Sequence, residues 1–103
     1  MSFGRVVAEA RKKLGLSQKE LATKIVKEDG EPISPQYLND IEHDRRSPSS
    51  DHIIEQFSKV LGIKPEVLYY WAGKFPKDIK ENSADEAKVV RAYTAFRKAM
   101  KGK

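Results

Sequence analysis

Apolar residues recur along this chain at the spacing of short amphipathic helices. Phe3, Val6, Val7, Ala10 and Leu14 share one stripe and predict a first helix over 3–14, stopped at Gly15. Leu21, Ala22, Ile25 and Val26 predict the inner face of a second helix that begins after Ser17. A third covers about 35–42, with Leu38 and Ile41 inward and Tyr37 near them. A fourth, capped by Ser49, buries Ile53, Ile54, Phe57, Val60 and Leu61 and ends at Gly62. A fifth opens at Pro65, turns Val67, Leu68 and Trp71 inward, and stops at Gly73, with Pro76 blocking continuation. Beyond a linker over 74–83, Val89, Tyr93, Phe96 and Met100 form the stripe of a last helix from about Ala84 to Met100, with Val90 and Ala92 beside it.

The start signals are sharpest in the first half. Ser17 with Glu20 is a capping box, in which hydroxyl and carboxylate each accept from a backbone N–H that the first turn leaves unpaired. Leu16 and Leu21 flank it at the spacing of a hydrophobic staple, and Ile33 and Leu38 repeat that spacing around Ser34-Pro35. Ser83 with Glu86 is a further capping box. Between the second and third helices, Lys27-Glu28-Asp29-Gly30-Glu31-Pro32 carries turn residues and is longer than the ~3–4 residues usual in a helix-turn-helix. Either the second helix runs on by a turn or a small loop projects. These elements predict an all-α chain: a domain over 1–73, a linker over 74–83, and a C-terminal amphipathic helix over 84–103.

The length of 103 residues and the 39% hydrophobic content suit one folded domain and an added helix. There is no cysteine, so neither a disulfide nor a thiolate metal site forms. No apolar run approaches the roughly 20 residues of a membrane span, and the N-terminal residues lack a secretory apolar core. A soluble, cytoplasmic protein is expected, without a membrane partner. Net charge is +5, unevenly spread: residues 1–27 hold seven basic and two acidic side chains, 28–76 five and nine, and 77–103 eight and four. Basic ends suit a polyanion, although a basic surface also serves plain solubility. An enzyme is not expected. His43 and His52 have no Ser or Cys nucleophile suitably placed, and no glycine-rich phosphate loop occurs. Asp40, His43 and Asp44 fall at metal-compatible helical spacing, but such a set is ordinarily a solvated face. No metal or cofactor is expected.

Gln36, Asn39, Asp40 and His43 share the outer face of the third helix, and amides are the groups that pair bidentately with adenine in a major groove. Two capped helices followed by Arg45-Arg46 suggest a DNA-docking helix-turn-helix. At this point Leu14-Gly15-Leu16-Ser17-Gln18-Lys19-Glu20-Leu21-Ala22, Ile33-Ser34 to Ile41-Glu42, Arg45-Arg46-Ser47-Pro48-Ser49 and Phe57-Ser58-Lys59-Val60-Leu61-Gly62-Ile63 resemble the Cro/lambda-repressor (XRE) family of regulators over roughly residues 3–72.

The resemblance implies five short helices with the third in the major groove, and a sequence-specific regulator of transcription, a repressor, on double-stranded DNA. Position by position it implies base contacts from Pro35, Gln36, Asn39 and Asp40, and backbone contacts from Ser17, Gln18, Lys19, Arg45 and Arg46. It further implies an ion pair of Arg11 with Glu42, tying the first helix to the end of the third. Asp40 and Asp44 place negative charge on the DNA-facing side. The last helix lies outside the family domain. Its Tyr93, Phe96 and Met100 must bury against something: the chain's own core, a second copy in a homodimer, or a partner protein, as in antitoxins that repress their own operon.

Overall fold

The helix boundaries follow from short-range hydrogen bonds. In the computed structural model, which describes residues 1–81 and 85–102, Ser2 Oγ accepts from Arg5 N and opens α1 (Phe3–Lys13). Both halves of the Ser17–Glu20 capping box form, at 3.0 and 2.8 Å, and open α2 (Gln18–Lys24). Ser34 Oγ accepts from Tyr37 N at the start of α3 (Pro35–Glu42), where Pro35 occupies the first turn. Ser50 caps α4 (Asp51–Leu61), and Pro65 opens α5 (Pro65–Ala72). Gly62 and Gly73 end these two helices in the left-handed region, which costs glycine least. α6 (Lys77–Glu81) and α7 (Glu86–Met100) complete an all-α fold.

The core is a single cluster drawn from α1 to α5. Val7, Leu21, Ile25, Leu38, Ile41, Ile53, Ile54, Phe57 and Leu68 are fully buried, and Phe3 meets Phe57 edge-on at 6.1 Å between centroids. α3 packs between α1 and α2, while α4 and α5 pack on each other and on α1. Where α1 crosses the end of α3, backbone meets backbone. A Cβ added at Gly4 would collide with the carbonyl oxygens of Ile41 and Glu42.

The long connection after α2 is the small projecting loop, not an extra turn of helix. Ile33 N donates to Ile25 O at 2.9 Å, Val26 and Pro32 form a bridge above that bond, and Lys27 N donates to Glu31 O at 2.8 Å. His52 Nε2 donates to Val26 O, and Gln56 Oε1 accepts from Val26 N, so α4 clamps the base of the excursion. Closure at Ile25–Ile33 leaves α2 and α3 joined as though by a tight turn.

Four boundary or facing expectations need correction. Leu14 is 52% exposed, because α1 ends at Lys13 and places Leu14 at its cap. Ser50, not Ser49, caps α4; the Ser49 amide instead donates to Tyr37 Oη. In α5 Val67 is exposed and Tyr69 is buried, with its hydroxyl donating to Glu55 Oε2 at 3.1 Å. Burial first, then that hydrogen bond, pushes the Tyr69 hydroxyl well above its ordinary pKa. The stretch read as a linker carries α6. Ser83 and Ala84, read as the start of the last helix, lie outside the described residues; Asp85, the next residue, caps α7 by accepting from Ala87 N and Lys88 N.

Two outcomes follow. Gly4→Ala, which would favour an isolated helix by nearly 1 kcal/mol, should here destabilise the protein by about 1–3 kcal/mol in denaturant titrations, because backbone must move. Asp51 accepts from Lys74 Nζ at 2.8 Å and from Lys77 N at 2.9 Å, and these bonds hold its carboxyl below the ordinary aspartate pKa. The stabilisation is complete above the ordinary value and lost as pH falls through the lowered one. Thermal melts of Asp51→Asn should therefore show a loss relative to the parent at neutral pH that narrows on acidification.

Candidate nucleic-acid interface

The third helix is held by a buried polar network at its C-terminal end. Arg11 Nε and Nη2 donate to the two carboxylate oxygens of Glu42 at 2.7 and 3.0 Å, and Arg11 Nη1 donates to Leu16 O at 2.9 Å. The side chains are 12% and 4% exposed, so the pair sits largely out of water. Gln18 Nε2 adds bonds to Glu42 Oε1 at 2.9 Å and Asn39 Oδ1 at 3.1 Å. One carboxylate thus joins α1, α2 and α3.

A second tie fixes the same end. Asp44 adopts φ 58°, and its carboxylate accepts from Ser2 Oγ at 2.6 Å and Gly4 N at 3.0 Å. It is turned to the start of α1. Asp44 stays exposed, with its carboxylate held at the positive end of the α1 dipole.

What remains outward is the first turn and a half of α3 with its flanks. Pro35 and Gln36 are exposed, and Asn39 and Asp40 are partly so. Gln36 Nε2 donates to Asp40 Oδ1 at 3.0 Å, and Arg45 Nε approaches the same oxygen at 3.3 Å. Arg46 stacks over the Tyr37 ring, 5.3 Å from its centroid. Ser17 and Lys19 are exposed at the start of α2, whose first N–H groups and dipole favour an anion.

The expected residues therefore separate. Pro35, Gln36, Asn39, Asp40, Ser17, Lys19, Arg45 and Arg46 lie on or beside the open α3 face or its neighbouring turns, whereas the Gln18 amide is engaged inward. The Asp40, His43 and Asp44 set is dispersed: Asp40 binds Gln36 and Arg45, His43 Nδ1 donates to Asn39 O, and Asp44 points to α1. Among the described residues no cluster suited to a metal ion occurs. Sequence reasoning missed Gly4 and Tyr37 as members of the site's support. Tyr37 takes the Arg46 guanidinium on its ring and the Ser49 amide on its hydroxyl, so it braces the arginine loop from both sides.

At the other end of the chain, Tyr93 meets Phe75 and Phe96 meets Tyr70, at 5.8 and 6.1 Å between centroids. Yet no residue of α7 is buried, and Tyr93, Phe96 and Met100 stay about half exposed. The expectation that this stripe must be covered is not met by the chain's own core. Among the described residues no helix is long and apolar enough to cross a membrane.

Comparison with known proteins places this geometry. Residues 7–68 match the helix-turn-helix family. A protein of Yarrowia lipolytica (strain CLIB 122 / E 150) named multi-protein-binding factor 1 is 38% identical over 63 residues, which make up 61% of this chain. The matched stretch spans 37% of that relative's length. Among solved structures, the SinR protein/SinI protein complex contains a chain with a similar fold, at TM-score 0.55 and 22% identity, over 98% of this chain and 99% of that one.

Because Glu42 is buried, removing its partner should cost more than removing both. Arg11→Met should destabilise by about 3–5 kcal/mol, and adding Glu42→Leu should recover part of the loss. A double-mutant cycle in denaturant checks this. Equal losses for the single and double variants would mean that the pair contributes through packing alone.

Proposed function

The chain belongs to the helix-turn-helix family of DNA-binding regulators, in its XRE branch, and on that premise we propose that it is a sequence-specific repressor that seats α3 in the major groove. The observation that carries this reading is the open N-terminal face of α3, with Gln36 at its centre, Ser17 and Lys19 on α2 to one side and Arg45 and Arg46 in the loop that follows. In this reading the arginines and the α2 N-terminus fix register on phosphates, and the Gln36 and Asn39 amides choose bases. Asp40 orients Gln36 and Arg45, and accepts from cytosine where one is present. The chain supplies no reaction of its own.

A second reading is favoured by the half-exposed stripe on α7. The relative's name is that of a multi-protein-binding factor, and the fold neighbour was solved as a complex with another protein. The α5–α7 face is then a docking surface, either for a second copy gripping the neighbouring half-site or for a different protein.

Selection of bound fragments from random duplex DNA tests the first reading, and recovery of a palindrome supports a dimer. Gln36→Ala should cost about 1–3 kcal/mol on the selected site and little on random duplex. Arg46→Ala should weaken binding to all duplexes alike and lower the salt slope by about one unit. Identical losses for Gln36→Ala on selected and random DNA would assign Gln36 to the backbone instead.

A further inference from the structure

We propose that a cleft between the inserted loop and α3 receives a backbone phosphate of the duplex, held by Lys27, Tyr37 and Ser49. This rests on the DNA-binding reading above and extends the interface to the loop that sets this chain apart from a tight helix-turn-helix.

The cleft lies beside the reading face. Lys27, Ile33, Ser34, Tyr37, Ser49 and Ile53 line a space of about 320 Å³, open to solvent. Ser34 caps α3, so the cleft adjoins the N-terminal turn that carries Gln36. Its uncommitted polar groups are donors. Lys27 enters none of the ion pairs among the described residues. Tyr37 Oη accepts from Ser49 N at 3.0 Å, and no hydrogen bond among the described residues takes up its own proton. The hydroxyl of Ser49, an exposed residue, is likewise unengaged among them. No carboxylate lines the cleft. Arg46 lies over the ring of the same tyrosine, 5.3 Å from its centroid, and brings a second cation near. Cations and O–H groups without an acid suit an anion that only accepts, and phosphate is the anion a duplex carries along both strands.

The loop is built to put a lysine there. Val26 N donates to Gln56 Oε1 at 3.1 Å and Val26 O accepts from His52 Nε2 at 2.8 Å. Lys27 N then donates to Glu31 O at 2.8 Å, so the backbone is anchored on both sides of the lysine. The loop also sorts its charges. Glu28, the next residue, lines a different cleft, together with Lys74, Lys77 and Lys80. At the tip, Asp29 Oδ1 accepts from Glu31 N at 2.9 Å. Of Lys27, Glu28, Asp29 and Glu31, only the cation lines the cleft beside α3. A free phosphate ion shares the chemistry of a backbone phosphate. Place favours the duplex, because the cleft sits between the α3 turn that carries Gln36 and the loop that carries Arg46.

The test uses the full chain and its selected duplex, with a neutral methylphosphonate placed at one backbone position at a time. Lys27→Met should lower the salt slope by about one unit and weaken selected and random duplexes alike. At one position beside the base that Gln36 reads, the methylphosphonate should cost the parent at least about fivefold and cost Lys27→Met little further. Tyr37→Phe, which keeps the ring under Arg46 and removes only the hydroxyl, should blunt the same position. Melting curves of the exposed Lys27 variant should match the parent. Three results would overturn the inference: a salt slope unchanged in Lys27→Met; no backbone position coupled to Lys27; or inorganic phosphate that shifts the Tyr37 and Ser49 amide resonances while no position is coupled, which assigns the cleft to a free anion. Selective binding that Gln36→Ala relaxes, with Lys27 uncoupled, removes this inference alone. Failure of the parent to select any duplex removes the repressor reading and this inference with it.

Discussion

The orientation of α3 depends on the carboxylate of Glu42. A helix of eight residues is too short to stand alone in water, so its direction comes from what it packs on. Leu38 and Ile41 anchor one face in the core but leave rotation and tilt loosely set. Glu42 ends that freedom. It lies in the last turn, where the helix dipole disfavours negative charge, and no basic residue of α3 offsets it. Arg11 and Gln18 supply what is missing, from α1 and α2, and the Leu16 carbonyl accepts from Arg11 and steadies its guanidinium. A buried ion pair adds little net stability against an apolar replacement, but its geometry tolerates few alternatives. Here that stringency falls on α3.

The same end of α3 is fixed a second time through backbone. Gly4 lets α1 approach the Ile41 and Glu42 carbonyls directly, and Asp44 reaches back to Ser2 and Gly4. α1 therefore acts as a splint along α3. The two constraints are chemically independent, one ionic and one steric, and both leave the N-terminal turn of α3 free. Both nearby aspartates are engaged: Asp44 accepts from Ser2 and Gly4, and Asp40 is shared between Gln36 and Arg45. Arg46 is braced on Tyr37.

What the sequence made legible was whatever is local. The Ser17–Glu20 box and the Ser34-Pro35 start act within five residues, and both form. Periodicity found most of the inner faces of α1 to α4, but it ran one residue past α1 to the exposed Leu14 and past α2 to Ile25 and Val26. It failed in α5, where Val67, Leu68, Tyr69, Tyr70 and Trp71 are apolar on every side and only tertiary packing selects Tyr69 over Val67. The Arg11–Glu42 pair was reached by resemblance, since 31 residues separate its members. Gln18 turning inward, Asp44 turning to α1, and His52 with Gln56 clamping the inserted loop are contacts across the fold, and no spacing rule announces them.

The two ends of the molecule are satisfied to different degrees, and that difference has a physical consequence. Around α3 every polar group of the support has a partner, so the domain gains rigidity there and loses little by waiting for a ligand. Around α7 the apolar groups stay about half exposed, with aromatic contacts, among the described residues, only to Tyr70 and Phe75. Free energy is still available at that surface from covering about half of several aromatic side chains. Nothing on α7 belongs to the core, so covering or uncovering its stripe leaves the core packing unchanged.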